Sequence, residues 1–194
     1  MQVERPPLDG LLLITPNVIG DERGFFLESW NRRRFVEALG VSEAEAPEFS
    51  QDNHSRSSQG VLRGLHYQLP PCPQGKLVRC VAGAIFDVAV DLRRSSPTWG
   101  QWYGVELSEA NHRQLWIPPG FAHGFLTLSA SADVLYKASG FWSRECERSV
   151  LWSDPRIGIA WPLDQLAGLS PVLAAKDGAA PDLAAAEASG DVFA

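Results

Sequence analysis

The sequence predicts an all-β domain of the barrel or sandwich kind, and two observations carry that prediction. Short runs rich in Val, Ile, Leu, Phe and Trp recur along the chain with Gly, Pro, Asn or Asp between them, the pattern of strands joined by tight turns. One run alternates cleanly: Ala84, Phe86, Val88, Val90 and Leu92 fall on one face, and Ile85, Asp87, Ala89 and Asp91 on the other, as the two-residue period of a strand requires. The first face seeks a core, and the second is expected to be wet or to line a cavity.

In chain order the expected strands are Leu11–Thr15 and Phe25–Trp30, then Phe49–His54, Gly60–Gln68, Lys76–Ala82, Ala84–Leu92, Gly100–Leu107, Gln114–Ile117, Ala122–Leu128 and Asp133–Ala138. Each is a run of strand-favouring residues bounded by turn formers. Between the second and third, "NRRRFVEALG" reads as a short helix with Asn31 as N-cap and Gly40 as its stop. Near the end, "PDLAAAEAS" is alanine-rich with a proline at its start and reads as another. The expected organisation is one domain over residues 1–194, with a helical appendage from about residue 165.

A chain of 194 residues can bury one sizeable core. Its net charge of −6 argues against nucleic acid as a partner, because that role needs a broad basic surface to displace counterions. An anionic ligand must then be met by a local cluster of cations. Cys72, Cys80 and Cys146 are odd in number and form no CxxC pair, so neither a disulfide framework nor a zinc knuckle is indicated and a reducing compartment fits. The apolar run before Pro16 is too short for a signal segment or a membrane span. The expectation is a cytoplasmic protein with no membrane partner.

Two stretches combine strand-like residues with an imidazole. In "GVLRGLHYQ" the strand period puts Leu62, Gly64, His66 and Gln68 on one face and Arg63 on the other. Arg63 and His66 can share a pocket only through a bulge, for which Gly64 is the natural place. In "WIPPGFAHGF" a proline and glycine turn precedes a strand with His123 between Phe121 and Phe125, a way to hold an imidazole at a barrel mouth. Taken alone, each histidine also fits a structural role bonded to the backbone. Lys76 and Tyr136 lie between and after these stretches, with ordinary surface roles open to them. A metal site needs three or four N, O or S ligands. Here the HxH spacing is missing, Gln68 stands where a second histidine would, and Lys76 brings unfavourable charge.

Together, "DERGFFLESW", "QDNHSRSSQGVLRGLHYQ", "QGKLVRCVAGAIFDVAVDLR", "WIPPGFAHGF" and "VLYKASGFW" resemble the dTDP-4-dehydrorhamnose 3,5-epimerase family, from about Gly10 to Asp177. The resemblance implies a cupin-like jelly-roll and a homodimer without metal or organic cofactor, acting on a 4-keto-6-deoxyhexose carried by dTDP. It places the catalytic base on His66, the general acid on Tyr136, the aspartate that orients the base on Asp177, and a cation near the keto oxygen on Lys76. Substrate contacts fall on Arg23, Glu28, Gln51, Asn53, Arg63, His123, Glu147 and Lys176, some N-terminal ones reaching the partner subunit's site. One departure is visible: Ala174 stands where the family usually has serine in Leu-Ser-x-Lys-Asp. Asp87 therefore competes with Asp177 as partner of a histidine.

The chemistry asks for these residue types. Inverting a carbon next to a ketone means removing its proton to form an enolate and returning one to the opposite face. A neutral imidazole suits the first step, a phenol the second, and a protonated lysine stabilises the enolate oxygen. Arginine forks suit diphosphate oxygens. Epimerisation at C3 alone, cupin 3,4-ketoisomerisation, a silent nucleotide-sugar binder and a metal-dependent cupin oxygenase are the competing readings.

Overall fold

The computed structural model describes residues 1–194. Its first strands are β1 (Gln2–Glu4), β2 (Leu12–Thr15), β3 (Val18–Asp21), β4 (Gly24–Leu27), β5 (Gln51–Ser58), β6 (Leu62–Gln68) and β7 (Lys76–Ala82). They are followed by β8 (Ala84–Asp91), β9 (Trp102–Ser108), β10 (Gln114–Ile117), β11 (Phe121–Thr127), β12 (Ser131–Ala138) and β13 (Glu147–Ser149). Helix α1 (Arg32–Leu39) lies between β4 and β5, and α2 (Ala175–Gly178) and α3 (Leu183–Ala188) close the chain.

Two antiparallel sheets face each other, with strand orders β1-β2-β10-β7-β12-β5 and β13-β6-β11-β8-β9. Neighbours in a sheet are often distant in sequence, the mark of the predicted jelly-roll rather than a simple meander. The inner faces share a core that includes Leu13, Val78, Ile85, Leu107, Leu115 and Phe125. The hairpin β3–β4 stands apart as its own two-stranded unit.

Each predicted strand has a counterpart; Lys76–Ala82 and Gln114–Ile117 keep their ends and the others shift. Phe25–Trp30 stops at Leu27 because the chain leaves the hairpin to start α1, where the Asn31 side chain accepts the Arg34 N–H and Gly40 ends the helix in the left-handed region, as read. Phe49–His54 is shifted to Gln51–Ser58, paired along its whole length with β12. The strands β1, β3 and β13 were not anticipated. They are three or four residues long, β1 and β3 exposed throughout and β13 half-buried throughout, so they carry no alternating apolar signal.

The expectation for Ala84–Leu92 needs correction. Ile85, Asp87, Ala89 and Asp91 are neither wet nor exposed; all are fully buried. The strand lies inside its sheet, between β11 and β9, and is covered on both faces. Ile85 and Ala89 join the inner core, while Val88, Val90 and Leu92 pack outward against Leu166, Leu183 and Ala186 of the C-terminal segment. Burying a leucine side chain stabilises by about 2 kcal/mol, so Leu166 and Leu183 anchor that segment to the barrel. The N-cap of α3 is Asp182, whose side chain accepts the Ala185 N–H.

This anchoring positions α2. Val172 pairs in parallel with Val61 just before β6, its N–H donating to the Gly60 carbonyl at 2.8 Å and its carbonyl accepting the Leu62 N–H at 2.9 Å. The chain then turns into α2 directly over β6.

Candidate active site

The bulge that the sequence asks for lies at Gly64. β11 and β6 pair His123 with His66, but the register shifts by the time Phe125 meets Arg63. Gly64 has φ +121°, and a Cβ there would stand 2.6 Å from the Gly124 Cα and 2.7 Å from the His123 carbonyl oxygen, so only glycine fits. The extra residue turns Arg63 and His66 to the same side. Both line a cavity of about 360 Å³ between the two sheets, together with Lys76, His123, Tyr136 and Asp177.

His66 Nε2 donates to Asp177 Oδ1 at 2.7 Å, and the other oxygen of Asp177 accepts the Gly64 N–H at 3.3 Å. A carboxylate there keeps the proton on Nε2 and leaves Nδ1 as the accepting nitrogen. Burial pulls the Asp177 carboxyl up, but its bond to His66 and the Gly64 amide outweigh this and hold it below the usual value. The rival carboxylate has a different partner: Asp87 Oδ1 accepts from His123 Nε2 at 2.7 Å. Two imidazoles thus stand side by side across the strand pair, each on its own aspartate.

Tyr136 and Lys76 come from β12 and β7 of the other sheet and face the histidines. Burial raises the Tyr136 phenol above its ordinary value, keeping the O–H intact. Burial likewise lowers Lys76 to about 8, against the opposing pull of Asp87 and Glu147. Its Nζ donates to the His66 carbonyl at 3.4 Å. Burial also lowers His123, favouring its neutral form.

Arg63 reaches the cavity without a carboxylate: its Nε donates to Ser57 Oγ at 3.0 Å and its Nη2 to the Arg56 carbonyl at 3.4 Å. Lys176 lines the rim and pairs with Glu147 at 3.2 Å. Arg63, Lys76 and Lys176 therefore give an acidic protein a local cationic pocket. Nowhere do three or more His, Cys, Asp or Glu side chains gather as a metal-ligating group.

The remaining residues expected to contact substrate lie outside this lining. Gln51 and Asn53 follow each other on β5, Gln51 Nε2 donating to Asn53 Oδ1 at 2.9 Å. Gln51 Oε1 also accepts the Trp142 N–H at 3.0 Å. Arg23 is at the tip of the β3–β4 hairpin, paired with Asp21 and 90% exposed. Glu28 pairs with Arg34 at 3.1 Å. Within one chain neither reaches the cavity. Ser55 was missed: it lines the cavity and its buried Oγ has no partner, yet a serine in a polar strand gives no signal of its own.

An imidazole braced by a carboxylate, a phenol on the facing sheet and a lysine beside them can take a proton from one face of a bound molecule and return one to the other. Comparisons with known proteins agree with this chemistry. The family model described as dTDP-4-dehydrorhamnose 3,5-epimerase matches residues 5–185. A Shigella flexneri protein of that name is 55% identical over 91% of this chain and 93% of its own. The crystal structure of a Legionella pneumophila 3,5-epimerase in complex with dTDP-4-keto-L-rhamnose matches with TM-score 0.89 and 49% identity, over 97% of this chain and 95% of that one. A Mycobacterium tuberculosis epimerase matches with TM-score 0.93 and 38% identity, over 100% of this chain and 94% of that one.

Proposed function

The chain belongs to the dTDP-4-dehydrorhamnose 3,5-epimerase family, and we propose that it converts dTDP-4-dehydro-6-deoxy-D-glucose to dTDP-4-dehydro-L-rhamnose by inverting C3 and C5. The observation that carries this reading is the His66–Asp177 pair facing Tyr136 and Lys76 from the opposite sheet. His66 takes the proton next to the 4-keto group. The negative charge moves to the keto oxygen, where protonated Lys76 stabilises the enolate in a site shielded from water. Tyr136 returns a proton from the far face, and the same sequence acts at the second carbon. Asp177 stabilises the imidazolium that forms on His66.

Arg63 and Lys176 bind the diphosphate, with Glu147 released from Lys176 as the anion arrives, and His123 completes the wall of the site. Gln51 and Asn53 reach the nucleotide end. Arg23 and Glu28 belong to a second copy's site: the hairpin that carries Arg23 exposes Ile19, Phe25 and Phe26 by 64% or more, an apolar surface suited to a homodimer. We read residues 1–194 as one domain whose C-terminal helical segment serves to place Asp177. The scheme calls for no metal or organic cofactor. A reducing cytoplasm suits three free thiols, and no helix is long and apolar enough to cross a membrane.

Proton NMR of the substrate in deuterium oxide tests the reading. Deuterium entering at both C3 and C5, and lost with His66→Ala, is the expected result. Exchange at C3 alone would make this a monoepimerase, and no exchange would leave only a nucleotide-sugar binder.

A further inference from the structure

Outside the cavity stand two thiols that the proposed chemistry does not use. Strands β6 and β13 pair at Gln68 and Glu147, and one residue further along the Leu69 N–H donates to the Cys146 carbonyl at 3.0 Å. The chain then turns back, the Cys72 N–H donating to the Leu69 carbonyl at 3.1 Å. This turn brings Cys72 beside Cys146, close enough for each thiol to shift the other's ionisation.

The Gln68 side chain ties the same two segments together. Its Nε2 donates to the Cys72 carbonyl at 2.6 Å and to the Phe141 carbonyl at 3.2 Å, and its Oε1 accepts the Ser143 N–H at 2.7 Å. The third cysteine, Cys80, is sealed in the core, its thiol donating to the Ala82 carbonyl. A disulfide needs two cysteines on nearby backbone with side chains that point together. Cys72 and Cys146 lie on backbone that the Leu69 and Gln68 hydrogen bonds hold together, and Cys80 does not take part.

We propose that Cys72 and Cys146 form a redox modification site, converted by a small disulfide such as glutathione disulfide into a reversible intramolecular disulfide. The bond clips the turn after Leu69 to the loop that bears Trp142, next to Glu147 at the rim of the cavity.

The exchange balances without another reactant. The neighbouring Cys146 holds the Cys72 thiol above its ordinary value, but Cys72 is half-buried while Cys146 is 8% exposed, so an external disulfide meets Cys72 first, once Cys72 has given its proton to solvent. The Cys72 thiolate attacks one sulfur and expels one glutathione thiolate, leaving a mixed disulfide. Cys146, whose neighbours Ser143 and Cys72 hold its thiol below the ordinary value, gives its proton to the expelled thiolate. It then attacks the Cys72 sulfur and releases the second glutathione. Two protein thiols and one glutathione disulfide become one protein disulfide and two glutathiones.

Differential alkylation with peptide mapping of the full chain, across a series of glutathione redox ratios, tests this. The expected result is a mass loss of about 2 Da, joint protection of Cys72 and Cys146 in one linked peptide, an unmodified Cys80, and reversal by dithiothreitol. Cys146→Ser should instead accumulate the mixed disulfide on Cys72. The proposal is overturned if both thiols of the wild type stay open to alkylation across the series, if the wild type stops at the mixed disulfide, or if the linked peptides join two chains. Should the variant not fold, mapping of the wild type decides alone. The readout is a mass, so it is independent of the epimerase reading.

Discussion

His66 and Asp177 are 111 residues apart in the chain and share a hydrogen bond of 2.7 Å. The bond exists because the segment before α2 runs beside the start of β6, and because Gly64 offers its N–H to the second carboxylate oxygen. An asparagine at 177 would fill the same space without the charge. Asp177→Asn should lower kcat by about a hundredfold to ten-thousandfold and leave KM nearly unchanged, since the carboxylate holds the base and not the sugar. Steady-state kinetics checks this, and a KM effect alone would remove Asp177 from the proton-transfer machinery.

The proposed role of Lys76 can be tested by pH. With its ammonium lowered to about 8, it is charged below that pH and neutral above it. If the charge stabilises the enolate, kcat/KM falls as pH rises through about 8. Lys76→Arg keeps its charge far above this range, so the variant should be weaker at neutral pH and lack that alkaline limb. A pH–rate profile in which the limb stays in place in the arginine variant assigns it to another group.

If Tyr136 is the proton donor, Tyr136→Phe removes it and leaves His66 in place. Deuterium should still enter the substrate at the position His66 serves, while the yield of inverted product falls by about a hundredfold or more. Following exchange and product in one NMR time course separates the two. Equal loss of both would mean that the tyrosine binds and does not donate.

The sequence made part of this site legible and hid the rest for physical reasons. The Gly64 bulge was readable because an arginine and a histidine three residues apart fall on opposite faces of a regular strand. Helix α1 was readable from its own cap residues, Asn31 and Gly40. The choice between Asp177 and Asp87 was not, because each lies on an element whose placement depends on distant packing: α2 on the Val61–Val172 bridge, β8 on cover from both sides. Asp87 lies on what reads as a polar face, and it is the facing sheet, closing over Ile85 and Ala89 on that same face, that makes it dry. The separation of Arg23 and Glu28 from the cavity was foreshadowed only by the family resemblance, which sends some N-terminal contacts to the partner subunit's site; the residues themselves gave no sign of it, since a hairpin's direction leaves no periodic trace.

The bulge itself can be tested by stability. At φ +121°, with backbone 2.6 Å from where a Cβ would be, Gly64→Ala must move two strands or leave its conformation. Thermal unfolding should show a loss of about 3 kcal/mol or more. An alanine variant as stable as the wild type would mean that β6 can pair without the glycine.

The reach of Arg23 into a second copy's site can be tested by mixing two damaged proteins. Arg23→Ala keeps an intact His66 but presents a faulty hairpin; His66→Ala has no base but presents an intact hairpin. If each site is built from the body of one chain and the hairpin of another, a mixed dimer contains one site with neither defect. Co-refolding equal amounts gives half mixed dimers, so about a quarter of the sites should recover, although each variant alone is weak. The exposed Phe25 and Phe26 beside Arg23 are the surface such an exchange would bury. Activity no greater than the sum of the separate variants would place Arg23 outside any shared site and leave the hairpin's apolar face to another role.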